Sequence, residues 1–216
     1  MYCYFPSCNF RKNFPETAAR AEAYLSTQDD VKICGCCHVT NHLPQTGDTI
    51  VTVCMSCMHI LEEVRSDLPV ISLFEFLLTR NDFQWPDYNG RAAVLQDCFR
   101  ARGHHALQDA VRTCMQRCGM GILETEHNRD EADFDGSFLL HDPYPQNIAE
   151  APHYFRDYLP AYVTAMPENM RSAYYRRWVS ELPDSRVVCY CNTCTAGMRL
   201  GGADAMHLAE LLFPAE

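Results

Sequence analysis

The feature that most limits how this chain can fold is the crowding of cysteine into one short segment. Residues 33–61, ICGCCHVTNHLPQTGDTIVTVCMSCMHIL, contain five of the 13 cysteines in the 216-residue chain. The total is odd and the first residues show no export signal, so we expect a reducing compartment that keeps these thiols free. Metal binding or redox chemistry is therefore favoured over a disulfide framework. Any one of these cysteines, taken alone, would be interpreted as a small buried hydrophobe.

The charge balance argues against one broad class of partner. The chain has 18 Lys and Arg residues against 28 Asp and Glu residues, a formal net charge of −10, and its basic residues form no large cluster. A nucleic-acid partner is therefore not expected. The opening MYCYFPSCNFRKNFPE has no basic region followed by an apolar stretch, and no run of 18 apolar residues occurs. We expect a cytoplasmic protein without a membrane segment.

Strand-like and helix-like segments alternate along the chain. In the first half, the pattern predicts strands at 1–5, 30–34 and 48–54, a helix at 16–27, a helix after the last of these strands, and an apolar segment at 68–78. In the second half, it predicts strands at 91–98 and 120–126, a helix at 105–118, a strand and then a helix within 185–198, and a final helix at 203–213. This alternation predicts an α/β fold with small parallel sheets flanked by helices.

The two halves share the same order of strands, helices and cysteines, which predicts an internal duplication into residues 1–88 and 89–216. The matching cysteines are Cys8 with Cys98, and the C-x-x-C pair Cys54 and Cys57 with Cys191 and Cys194. By spacing, the place of the adjacent pair Cys36 and Cys37 is taken in the second half by Phe134, Asp135 and Gly136. We therefore expect two pseudo-symmetric halves, of which the second has lost its cysteine pair.

The second half is also longer than the first. An insertion at about 137–183 is rich in aromatic residues and proline, and the pattern at 168–182 predicts a helix within it. Because the insertion lies between a strand and the second C-x-x-C pair, we expect it to cover one of the cysteine sites.

Each C-x-x-C pair lies where a strand runs into a helix, beside backbone N–H groups and the positive end of the helix dipole. That environment favours the thiolate, the form that binds metal or attacks a disulfide. A structural zinc ion takes four ligands, usually from two C-x-x-C pairs, whereas the first half offers a single cysteine, an adjacent pair and one C-x-x-C pair. Thioredoxin-like chemistry needs only one pair. An iron–sulfur cluster accounts for most of the sulfur with one hypothesis.

The arrangement YFPSC, then CGCCH, then VTVCMSC resembles the cysteine-rich CCG domain of heterodisulfide reductase and its relatives. The resemblance covers essentially the whole chain, with one complete and one degenerate copy of the motif. It implies that five cysteines hold a noncubane four-iron four-sulfur cluster: Cys8, Cys36, Cys37, Cys54 and Cys57. The sequence departs from the family pattern in a shorter loop after the adjacent pair, in His38 where the family has glycine, and in the incomplete second copy.

The second half offers its own set of candidate metal ligands: Cys98, Cys189, Cys191 and Cys194. Three alternatives stay open for this second site. It can hold a second four-iron four-sulfur cluster, a zinc ion with Asp135 as an oxygen ligand, or no metal. In the first half, Cys34 is interpreted as a bystander. His38, His42 and His59 flank the first site and can serve either as hydrogen-bond partners of sulfur or as ordinary structural histidines.

Two functions of different classes are therefore compared. The first is an iron–sulfur redox protein that transfers electrons and reduces a disulfide or thiol substrate, as the family resemblance implies. The chain has no Gly-rich dinucleotide motif and no ferredoxin-type cysteine run, so this function requires an electron-donor protein or subunit. The second is a zinc-stabilised binding or assembly protein without redox chemistry.

Overall fold

Short apolar strands alternate with helices throughout the computed structural model, which describes residues 1–136, 142–163 and 165–215. The strands are β1 Tyr2–Phe5, β2 Val31–Ile33, β3 Thr49–Thr52, β4 Val70–Ser72, β5 Ala92–Gln96, β6 Gly121–Glu124, β7 Val187–Cys189 and β8 Ala205–His207. The α-helices are α1 Cys8–Asn13, α2 Pro15–Leu25, α3 Met55–Val64, α4 Leu73–Leu78, α5 His105–Arg117, α6 Pro145–Glu150, α7 Glu168–Ser180, α8 Asn192–Leu200 and α9 Leu208–Leu212. Within these described ranges, no helix combines the length and apolar character that a membrane crossing requires.

The strands form two sheets with the same topology. The first has the order β2-β1-β3-β4 and the second the order β6-β5-β7-β8, and all neighbouring strands are parallel. In each sheet the chain moves from the first strand to a neighbour on one side, and then crosses to the other side of that first strand. The predicted α/β fold, with two pseudo-symmetric halves built on small parallel sheets flanked by helices, is confirmed.

The chain divides into two compact units that do not follow the sequence in a simple way. The first unit contains Met1–Arg80 and also Pro143–Tyr162, whereas the second contains Asn81–Asp142 and Val163–Pro214. Residues 143–162 lie inside the stretch interpreted as an insertion of the second half. In the structure they belong to the first unit.

The central strands are apolar because parallel strands are covered by helices on both faces. In β1, the side chains of Cys3, Tyr4 and Phe5 are each at most 1% exposed, and β7 is buried along its whole length. Burial of this kind contributes roughly 25 cal/mol for each Å² of apolar surface removed from water. The core of each unit therefore lies directly against its sheet, and the functional loops lie at the strand ends.

The structure differs from the prediction at two short strands. The segment predicted as a final helix, 203–213, begins with strand β8 and becomes helical only at Leu208. The apolar segment 68–78 likewise divides into β4 and α4, and a capping box between Ser72 and Glu75 marks the start of the helix. Strands of three residues are too short for a period to distinguish them from a helix.

His207 links β8 to α9 and makes stability depend on pH. Its Nδ1 accepts a hydrogen bond from the Ala209 N–H, and complete burial lowers the pKa of the ring from 6.5 to about 4. Between these two values the unfolded chain binds a proton that the folded chain does not bind. The contribution of the neutral His207 ring to the unfolding free energy is therefore fully present above pH 6.5, and it decreases as the pH falls through this window.

We expect the variant His207→Asn to lose this part of the pH dependence, because asparagine keeps a capping acceptor but does not titrate. Between pH 7 and pH 4, the wild type should lose about 1 to 3 kcal/mol more unfolding free energy than the variant. Urea unfolding at both pH values measures the difference. Parallel losses in the two proteins would contradict the assignment.

Candidate functional site

The cysteines of the first half lie at the carboxyl ends of three parallel strands. Cys8 begins α1 shortly after β1, the adjacent pair Cys36 and Cys37 follows β2, and Cys54 is the N-cap residue of α3 directly after β3. Carboxyl ends of parallel strands share one edge of the sheet. Where the chain leaves neighbouring strands in opposite directions, their loops leave a crevice in which ligands bind.

All five predicted sulfurs of the first site come together at this edge. The Sγ atoms of Cys37 and Cys57 lie 3.3 Å apart. The Cys57 thiol also hydrogen-bonds with that of Cys54, and the Cys36 thiol does so with those of Cys8 and Cys37. The sulfurs thus form one continuous chain of contacts drawn from three loops.

Crowding makes the ionised form of these thiols unfavourable in the absence of a cation. The hydrogen bond with Cys37 and burial raise the pKa of Cys57 well above its ordinary value, and Cys57 together with burial does the same to the pKa of Cys54. Like charges close together in a desolvated site repel each other, which favours the protonated state. A bound metal ion reverses this effect because it adds the missing positive charge.

The first site is open on one side. Cys37, Cys54 and Cys57 are buried, whereas Cys36 is half-buried and Cys8 is exposed. A molecule from solvent therefore reaches this edge of the sheet at Cys8 and Cys36.

The loop that presents the adjacent pair is held by hydrogen bonds of its own. The Thr40 hydroxyl donates to the Cys36 carbonyl and accepts from the Gly35 N–H, both at 3.0 Å. Farther along the loop, Arg65 Nη1 donates to the carbonyl oxygens of Asn41 and Pro44 at 3.0 and 2.8 Å. The loop after β2 is therefore tied to itself and to the end of α3.

Tyr4 in β1 carries a polar group without a partner in the core of the first unit. It is completely buried, and its hydroxyl has no hydrogen-bond partner among the described residues. Burial and then the charge of Glu22 raise its pKa, and the charge of Cys57 makes a smaller contribution in the same direction. A buried hydroxyl normally has a partner, because leaving it without one costs about 1–3 kcal/mol. An acceptor supplied by a bound group fits this position.

A segment far along the chain packs against the first site's framework. Glu150 at the end of α6 accepts a hydrogen bond from His38 Nδ1 at 2.6 Å, next to the adjacent cysteine pair. The Glu63 carboxylate accepts the backbone N–H groups of Tyr154 and of the residue before it, at 2.7 and 3.1 Å. The rings of His59 and Tyr154 are stacked with centroids 3.5 Å apart. Of the three histidines that flank the first site, His38 and His59 thus contact residues 143–162, whereas His42 is exposed.

The second unit repeats the arrangement with three sulfurs. The Sγ atoms of Cys98, Cys191 and Cys194 all lie within 4.8 Å of one another, and each residue is at most 3% exposed. Cys191 is the N-cap residue of α8. Hydrogen bonds from Cys194 and Cys98, together with the nearby positive charge of Arg100, lower the pKa of Cys191 well below its ordinary value. The group can hold a metal ion.

Beside this trio lies a buried ion pair. Arg100 Nε donates to Asp135 Oδ2 at 3.1 Å, and both side chains are at most 1% exposed. Burial raises the pKa of Asp135 to about 6, although the guanidinium group opposes the shift. The other carboxylate oxygen, Oδ1, has no hydrogen-bond partner among the described residues. The charge of Asp135 interacts with that of Cys191, but its carboxylate is not among the ligand atoms that lie within 4.8 Å of one another.

Cys189 lies outside the group of three. It ends β7, its thiol hydrogen-bonds to Thr195, and burial raises its pKa. Its assignment as a metal ligand stays a prediction. Across the whole chain, all 13 cysteines are free thiols.

Sequence reasoning missed the residues that surround the sulfurs. Tyr4, Arg100 and Glu150 carry no motif, and the partner of each depends on tertiary packing. Ser7 was also missed, although the Pro-Ser-Cys sequence directly after a strand is a signal for a turn. Asn192, inside the second C-x-x-C pair, is 2% exposed, and its amide has no hydrogen-bond partner among the described residues.

Comparisons with known proteins assign no family to the chain. No protein-family model matches the sequence, and no curated protein matches it. Among solved structures, the chain is similar to a periplasmic ribose ABC transporter from Conexibacter woesei, with 11% sequence identity and a TM-score of 0.26. The alignment covers 93% of this chain, which spans 66% of the length of that chain. The resemblance to the CCG domain therefore stays a prediction.

The buried pair gives a prediction about stability. Arg100→Met leaves the Asp135 carboxylate buried without its counter-ion, so we expect a loss of about 3 to 5 kcal/mol in unfolding free energy. The double variant Arg100→Met/Asp135→Asn removes both charges and should recover part of that loss. Urea unfolding at pH 8 measures both. If the double variant is no more stable than the single one, the loss in Arg100→Met does not come from an unpaired Asp135 charge, and the stabilising role of the ion pair is refuted.

Proposed function

We propose that the first half holds a noncubane four-iron four-sulfur cluster through Cys8, Cys36, Cys37, Cys54 and Cys57. The observation that carries the proposal is the convergence of these five thiols, from three separate loops, into one continuous group at a single sheet edge. Structural zinc takes four ligands, so one of the five sulfurs would be left over. A cluster with several iron atoms accepts sulfurs from the different directions that an adjacent pair imposes.

The surroundings of the five thiols fit a bound group with its own acceptor atoms. The buried Tyr4 hydroxyl has no partner among the described residues. The protonated state of the buried thiols is favoured only while no cation is present, and metal binding releases those protons. The chain thus supplies the ligands, a donor, and loops that are held by hydrogen bonds.

We further propose that the protein transfers electrons and reduces a disulfide or a thiol-linked substrate. When bound, an iron–sulfur cluster accepts and delivers electrons one at a time. Reduction of a disulfide consumes two electrons and two protons and releases two thiols. A reduced electron-donor protein or subunit supplies the electrons, since the sequence contains no dinucleotide motif of its own. The exposed Cys8 and half-buried Cys36 define where the substrate or donor approaches.

A different role suits the second half. Its three thiols are buried, whereas Cys8 is exposed and Cys36 half-buried in the first site, and this burial favours a closed structural site over an open redox site. We propose a zinc ion held by Cys98, Cys191 and Cys194, with the Asp135 carboxylate as the candidate fourth ligand; it would have to move towards the three sulfurs, and Arg100 would orient it. If zinc occupied both sites, the protein would instead be the zinc-stabilised binding or assembly protein.

Metal analysis tests the first site. Protein purified without oxygen, with iron supplied, should contain about four irons and four acid-labile sulfides per chain. Cys57→Ser should lose nearly all of this iron, because it removes a sulfur from the centre of the group. Cys34→Ser is the matched control: it changes a buried cysteine outside the five and should keep the iron. Iron-free wild type, or equal iron in the two variants, would refute the cluster.

Zinc content tests the second site separately. Cys194→Ser should lose the zinc while keeping the iron, and Asp135→Asn should weaken zinc binding by about 10-fold or more. Cys189→Ser should keep the zinc, since its thiol lies outside the trio. Zinc retained in Cys194→Ser, or lost in Cys189→Ser, would require a different ligand set. Competition with a chromogenic chelator gives the affinities.

A further inference from the structure

Ser7 has a backbone conformation that its side chain does not favour. Its φ of 61° and ψ of 123° lie in a region where glycine is the usual residue. Asn89 and Arg129 are the other non-glycine residues with positive φ in the described part of the chain. Ser7 stands between Pro6 and Cys8, at the turn from β1 into α1. Backbone strain that persists beside a candidate ligand points to a role for the side chain.

The side chain of Ser7 faces the protein interior. Ser7 is 3% exposed, and its hydroxyl oxygen accepts a hydrogen bond from the Phe10 N–H at 3.3 Å, which caps α1. The same hydroxyl hydrogen-bonds to the sulfurs of Cys54 and Cys57, and this contact opposes part of the rise in pKa that the neighbouring thiols and burial cause at both residues. A hydroxyl has one proton to donate and two lone pairs. With Phe10 as donor to the oxygen, the proton is available to sulfur.

The corresponding position in the second half has the opposite chemistry. Asp97 precedes Cys98 as Ser7 precedes Cys8, and it is completely buried. Its carboxylate accepts hydrogen bonds from Tyr190 at 2.7 Å and from Arg112 at 2.6 Å. This side chain faces other protein groups and has no hydroxyl to donate to sulfur. Of the two sites, only the first therefore has a hydroxyl donor at the position before its first cysteine.

We propose that Ser7 is a positioning residue of the first site, whose strained backbone directs its hydroxyl proton to the Cys54 and Cys57 sulfurs and raises the reduction potential of the group they hold. The inference rests on the function proposed for that site. A hydrogen bond to a ligand sulfur withdraws negative charge, so it stabilises the reduced state more than the oxidised state. Removing the donor should shift the potential to more negative values.

Two variants separate the hydroxyl from the strain. Ser7→Ala removes the hydroxyl and keeps a Cβ in the strained conformation, whereas Ser7→Gly removes both. Asn9→Ala, an exposed neighbour of Cys8, is the control. A redox titration followed by EPR should show potentials shifted to more negative values in both Ser7 variants and unchanged in the control. Urea unfolding of the metal-free proteins should show a higher midpoint for Ser7→Gly than for Ser7→Ala.

The outcomes distinguish this inference from the proposal on which it rests. If the wild type contains iron and both Ser7 variants keep its potential, Ser7 does not tune the site and the cluster assignment stands. If the two variants unfold at the same urea concentration, the strain is not real and the positioning role fails. If the wild type contains no iron, the cluster and the role of Ser7 are refuted together.

Discussion

The order of the parallel strands is the constraint on which both sites depend. In each sheet the chain runs from its first strand to one neighbour and then crosses to the other side, so the loops after three consecutive strands meet at one edge. Cysteines placed just after those strands approach one another although they are far apart in sequence. None of the cysteines has a positive φ, so none needs a strained backbone to reach its group. Strain at the first site falls instead on Ser7, next to the first ligand.

Two units with the same sheet topology have different electrostatic arrangements around their cysteines. In the first unit, five thiols crowd together, and burial and mutual contact raise the pKa values of Cys36, Cys54 and Cys57. In the second unit, three thiols lie beside a buried guanidinium, and hydrogen bonds from the other two thiols together with that positive charge lower the pKa of Cys191. Positive charge must come from a bound group in the first case, whereas part of it is already built into the protein in the second. An ancestral duplication would account for the shared topology, with the two halves specialising afterwards.

Most strands and the start of α3 and α8 could be predicted because local sequence patterns indicate them, whereas the order of the strands in each sheet was not predicted. Short apolar segments indicated the strands, and C-x-x-C after a strand indicated the start of α3 and α8. Strand β8 could not be distinguished from the helix that follows it, because three residues show no period. Asp135 was singled out as a candidate oxygen ligand, but its pairing with Arg100 gave no signal, since a charged residue normally indicates surface and only the folded core makes the two a buried pair.

Residues 143–162 have a consequence for the order of events during synthesis. Glu150 and Tyr154 belong to the first unit, but the ribosome makes them only after β5, β6 and α5 of the second unit. The nascent first half therefore emerges with its three cysteine loops complete and its last layer still missing. Contacts of such long sequence separation form late in folding. Docking of this segment onto His38, His59 and Glu63 is then the step that completes the first unit, which leaves an interval in which His38, directly after the adjacent cysteine pair, lacks its hydrogen bond with Glu150.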